Sequence, residues 1–142
     1  MRVGFFSPYL DTFGGGERYM LTLASFLAER HDVEIFWGDS AIKAPLTRFL
    51  KIDLTKTKFV ENIFRQNILK KIRRTASYDL IFILSDGSVP FSLAKKNILH
   101  FQVPFVFSKI DAKTKLNLTR YKYVVVNWYF TKKYIDKSLK ID

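Results

Sequence analysis

The chain has no cysteine, only two histidines and only four prolines in 142 residues. Without thiols it can form neither a disulfide nor a thiolate metal centre. Two widely separated histidines and scattered acids give no metal-ligand spacing, so no metal site is expected. No apolar run approaches the roughly 20 residues that a membrane-spanning helix needs. The chain opens directly on the strand-like RVGFFS, so no signal peptide is expected. With the missing cysteines this points to a cytoplasmic protein. No Gly-Lys-Ser/Thr follows the glycines, which excludes a P-loop, and no Gly-x-Ser-x-Gly elbow or Cys nucleophile is present. Internal repeats, low-complexity tracts and an interdomain linker are lacking too, so residues 1–142 are expected to form one domain.

What is present can fill a core. Hydrophobic residues make up 48% and aromatics 16% of the chain, with 14 phenylalanines, which argues against disorder. The net charge of +11 is unevenly placed. Residues 1–42 hold three basic and six acidic residues, residues 43–74 ten and two, and residues 109–140 nine and two. Such a basic surface suggests an anionic partner: nucleic acid, phosphate or an anionic membrane.

Strand and helix patterns alternate. Arg2–Ser7, Asp32–Gly38, the run from Asn97 that ends before Pro104, and Tyr123–Asn127 read as strands, Asp79–Gly87 as a strand followed by a turn, with FLKIDL and KFV as two further short ones. Helices are expected from about Gly16 to Arg30, over Val60–Arg74, over VPFSLAKK and over FTKKYIDKSL. Ile63 or Phe64, then Ile68 and Ile72, would form the apolar stripe of the second. The strands are continuous apolar runs, as in a parallel sheet covered on both faces. The expected fold is therefore α/β and Rossmann-like: a doubly wound, mostly parallel sheet with helices on both faces.

In such a sheet the ligand lies beyond the carboxyl ends of the strands. Gly14, Gly15 and Gly16 follow the first strand and open a helix. Three consecutive glycines mean that the backbone turns sharply or that another group comes very close. Bare backbone at a helix N-terminus suits a phosphate. A dinucleotide fingerprint is only partly matched, because Tyr19 stands at its third glycine, although Asp39 sits where a ribose-binding acid would. A glycine-rich turn that merely opens the helix is the plainer alternative.

The segment MRVGFFSPYLDTFGGGERYMLTLASFLAERHDVEIF resembles the opening of family 4 glycosyltransferases of the GT-B fold. Gly14-Gly15-Gly16-Glu17-Arg18 matches their Gly-Gly-x-Glu-Arg motif. YVVVNWYFTKKYI resembles a second family segment, Val-x-Asn-Ser-x-Phe-Thr, with Trp128 in place of the serine. The resemblance implies the N-terminal, acceptor-side half of a two-domain enzyme whose C-terminal donor domain is not within these residues. It implies transfer of a sugar from a nucleotide-sugar donor to an acceptor hydroxyl, on a polysaccharide or lipid-linked glycan, with retention and without a further cofactor. Gly14, Gly15 and Gly16 would then lie against the donor's phosphate and sugar.

His100, near the end of a strand, corresponds to a rim histidine of the family and is the candidate catalytic residue. A histidine packed among Phe101, Val103 and Phe105 is the alternative. Ser85 and Asp86 point to the same edge, or simply form a turn with Gly87. Lys70, Lys71, Arg73 and Arg74, beside Ile68, Leu69 and Ile72, could lie on the inner face of an anionic membrane. The competing functions are a basic nucleic-acid-binding domain, disfavoured because no nucleic-acid motif is present, and a dinucleotide-binding domain.

Overall fold

The computed structural model describes residues 1–105 and 110–139. The strands are β1 (Arg2–Phe6), β2 (Asp32–Phe36), β3 (Lys58–Val60), β4 (Leu80–Ser85), β5 (Lys96–Phe101) and β6 (Tyr123–Val126). They form one all-parallel sheet in the order β3-β2-β1-β4-β5-β6. This is a doubly wound, Rossmann-like α/β fold, and the order reverses between β1 and β4. The helices are α1 (Gly15–Ala28), α2 (Lys43–Leu50), α3 (Ile68–Thr75), α4 (Ala112–Leu118) and α5 (Tyr129–Leu139).

Successive strand residues feed two separate cores, as the two-residue period of a strand requires. Phe5, Ile35, Phe82 and Leu84 face Met20, Leu21 and Ala24 of α1 and Leu46 and Leu50 of α2. Their neighbours Phe6, Phe36, Ile81 and Ile83 face the other way, towards Tyr78, Tyr121 and Ile135 and Leu139 of α5. Each fully buried large side chain contributes about 1.5–3 kcal/mol. Both faces are covered, which is why the strands read as unbroken apolar runs.

The amino edge of the sheet is closed by polar contacts. Arg2 pairs with Glu34 at 3.0 Å, Tyr78 donates its hydroxyl to the same carboxylate, and the Arg2 guanidinium lies 4.3 Å from the centre of the Tyr78 ring. Burial and the Glu34 hydrogen bond push the Tyr78 phenol up from its ordinary value.

Three segments differ from the sequence expectations. The helix expected over Val60–Arg74 is split into a 3₁₀ turn, Ile63–Arg65, and α3. Two asparagines split it: Asn62 accepts from the Phe64 N–H and Asn67 from the Lys70 N–H, each starting a new turn. The expected apolar stripe breaks with it. Ile63 is buried, but Ile68 is 54% exposed. FLKIDL is no strand, because Phe49 and Leu50 end α2 and Lys51 turns out of it in the left-handed region at φ 54°. VPFSLAKK is no helix. The Thr75 hydroxyl takes the Leu93 N–H, Ser92 takes that of Ala94, and the chain runs extended into β5.

Candidate functional site

β1 ends at Phe6, and Ser7 to Gly14 carry the chain across the carboxyl edge of the sheet to α1. The segment folds back on itself. The Thr12 N–H and hydroxyl both donate to the Tyr9 carbonyl, and Phe13 adopts the left-handed conformation at φ 55°. Gly14 is the N-cap of α1, extended at φ −76°, and no side chain caps the first turn. None of Gly14, Gly15 and Gly16 has a positive φ. The turn itself therefore does not demand glycine, and close approach is the remaining reason.

That approach differs at each position. A Cβ on Gly14 would lie 2.8 Å from Glu17 Oε2, and one on Gly16 2.6 Å from Gln102 Oε1 and 3.0 Å from Leu84 Cδ2. These two glycines make room for the chain's own side chains. Among the described residues, a Cβ on Gly15 would meet nothing within 4 Å. Gly15 alone of the three leaves bare backbone open at the positive end of α1.

Beside it runs a groove of about 360 Å³ between the first turn of α1, the end of β4 and the segment after β5. Gly16, Glu17, Ser85, Asp86 and Gln102 are among the residues that line it. Glu17 is 7% exposed and accepts the Ser7 hydroxyl at 2.9 Å. The sequence pattern places Glu17 only in a motif; its burial in the groove wall, and the approach of Gln102 to Gly16, are tertiary facts that no local spacing announces. Asp86 and Ser85 also brace the turn at Gly87, which has φ +104°. Ser85 Oγ accepts the Gly87 N–H and donates to the Ser88 carbonyl, while Asp86 Oδ1 accepts the Ser88 N–H. A larger, mostly apolar opening of about 690 Å³ lies on the other side of the loop, against Phe13, Pro45, Arg48 and Phe49.

His100 is not among the residues lining the groove. It is 1% exposed on β5, between the rings of Tyr19 (5.0 Å) and Phe82 (5.6 Å). Burial lowers its pKa, so the ring is held neutral, and its Nδ1 has no hydrogen-bond partner among the described residues. The Tyr19 that interrupts the dinucleotide fingerprint is the residue that covers this histidine. Asp39, the candidate ribose acid, accepts the Ala41 N–H instead and starts a 3₁₀ turn.

Lys70, Lys71, Arg73 and Arg74 lie on α3, away from the groove. Burial and the neighbouring Lys113 of α4 lower the Lys71 pKa, so the two helices present their cations together. Among the described residues no helix is long and apolar enough to cross a membrane, and no group of three or more acids or histidines is placed to hold a metal ion. Comparison with protein-family models, characterised proteins and solved structures found no match to this chain.

Proposed function

We propose that the chain is the acceptor-side domain of a family 4 glycosyltransferase of the GT-B fold, which moves a sugar from a nucleotide-sugar to an acceptor hydroxyl. The observation that carries this is Gly15: bare backbone at a helix N-terminus, at the carboxyl end of β1, serving no turn and, among the described residues, packed by nothing. The resemblance of Gly14–Arg18 and of the β6–α5 segment to that family, and a sheet order that reverses beside the glycines, support the same reading. The first-turn N–H groups would receive the donor's diphosphate, and a C-terminal domain would hold the nucleotide from the opposite side. Retention, as the resemblance implies, makes the protein's task positioning and stabilisation of the leaving diphosphate. In this reading His100, a neutral imidazole buried beneath Tyr19 and outside the groove, positions Tyr19 from below. The acceptor is a glycan, free or lipid-linked. The basic surface of α3 would hold the enzyme peripherally on the inner face of an anionic membrane.

The test is transfer of labelled sugar by the product of the whole reading frame, with Gly15→Val beside the parent. The variant's fold should survive, because the added methyls enter open space. Turnover should fall at least about tenfold, the loss of roughly one contact between backbone and diphosphate. Unchanged turnover removes the glycine from the site; no transfer by the parent removes the function.

A further inference from the structure

α3 carries one cation where its own electrostatics disfavour it. Lys70 stands in the first turn, at the positive end of the helix dipole. Arg73 and Arg74 follow at three and four residues, so three like charges share one side of the helix. The dipole favours the two arginines of the last turn but not the lysine of the first. Elsewhere surface lysines find acids: Lys56 with Glu29, Lys58 with Asp32, Lys95 with Asp79 and Lys132 with Asp136. Among the described residues no ion pair reaches Lys70, Arg73 or Arg74.

All three line one hollow of about 500 Å³, between α3 and the Ile63–Arg65 turn, which Glu61, Gln66 and Ser77 also line. That volume suits a small ligand. The Gln66 amide donates to Glu61 Oε1 at 2.8 Å, so the one acid of the described lining is tied to its own turn. The Ser77 hydroxyl is committed as well: it donates to the Arg74 carbonyl and accepts from Arg2 Nη1. Three cations against one carboxylate leave an excess of two positive charges. A carboxylate ligand would offset half of that excess, and a dianionic phosphate all of it. The two guanidinium forks match phosphate oxygens in geometry as well as charge. Lys71 is not among the lining residues and lies beside Lys113 of α4 instead.

We infer that this hollow is a binding site for a dianionic phosphate monoester, held by Lys70, Arg73 and Arg74. Leu69 is exposed and stands four residues before Arg73, on the same side of α3, so the monoester can arrive as a lipid headgroup or free in solution. The hollow shares no lining residue with the groove beside Gly15, and the inference does not rest on the transferase proposal.

Amide NMR of this chain tests it, at about pH 7.5, where a phosphate monoester is mostly dianionic, and roughly 0.15 M salt. Glycerol 3-phosphate should shift the Gln66, Lys70, Arg73 and Arg74 amides, and dimethyl phosphate, a monoanion, should bind about tenfold more weakly. Lys70→Gln and Arg74→Gln should each weaken glycerol 3-phosphate about tenfold, whereas Lys71→Gln, which removes the same charge from the same helix, should change it less than about twofold. A second arm separates the sources. Tighter binding to phosphatidic acid vesicles than to phosphatidylglycerol vesicles of matched surface charge assigns the site to a lipid headgroup; equal binding to both, with glycerol 3-phosphate still bound, assigns it to a soluble phosphate. Dimethyl phosphate binding as well as glycerol 3-phosphate overturns the inference. So does equal weakening by Lys71→Gln and Lys70→Gln, or glycerol 3-phosphate leaving all four amides in place.

Discussion

A buried histidine whose Nδ1 has no partner makes stability depend on pH. His100 is enclosed by Tyr19 and Phe82, and burial holds its folded-state pKa below the ordinary value. The unfolded chain therefore binds a proton that the folded chain refuses. His100 leaves stability intact above about pH 6.5, and stability falls as pH drops through that value towards the depressed folded pKa. His100→Leu should remove this part of the pH dependence and match or exceed the parent's stability near neutral pH, because it deletes a buried orphan nitrogen worth about 1–3 kcal/mol. Urea unfolding at several pH values checks it. A variant with the same acid-side slope as the parent would mean that other groups set the slope. The residue itself was visible in the sequence as a candidate near a strand end. Its burial was not, because the cover comes from Tyr19, far along the chain on another element.

Elements with strong local patterns were readable, and those decided by single polar side chains were not. β1, α1 and β2 follow from an apolar run, a helical stripe and another apolar run, and they lie within two residues of their expected limits. α3 shows the opposite case. Two asparagine caps cut an apparently continuous stripe, and α3 then turns Ile68 and Leu69 outwards, 54% and 75% exposed, next to its cations. α4 went unread altogether, although Asp111, which accepts the Thr114 N–H, marks its start. For α3 the exposed pair gives a measurable expectation. Apolar side chains flanked by Lys70, Lys71, Arg73 and Arg74 suit adsorption to anionic lipid. At about 1 kcal/mol per cation near the surface, Lys70→Ala with Arg73→Ala should lower partitioning onto phosphatidylglycerol vesicles roughly thirtyfold. Both side chains are exposed, so the fold should be unaffected. Equal partitioning of variant and parent would return α3 to the status of an ordinary solvated helix.

At the scale of the whole molecule, the charge is sided. α3, α4 and α5, on one face of the sheet, carry nine lysines and arginines against one aspartate, whereas α1 carries one arginine and one glutamate, and α2 one lysine and one arginine. This asymmetry arises from topology. The strand order sends the connections before and after β2 to one face, and the later ones, drawn from the basic parts of the chain, to the other. The candidate site lies on neither face but along the carboxyl edge between them, so a membrane could hold the basic face while Gly15 and its groove stay open. Hydrogen exchange on anionic vesicles tests that geometry directly. At low salt, amides of α3, α4 and α5 should be protected while those of α1 and α2 exchange as they do in free solution. At about 1 M salt, where the screening length falls to roughly 3 Å, the protection should vanish because the attraction is mainly electrostatic. Protection spread equally over both faces, or unaltered by salt, would rule out a charge-oriented encounter.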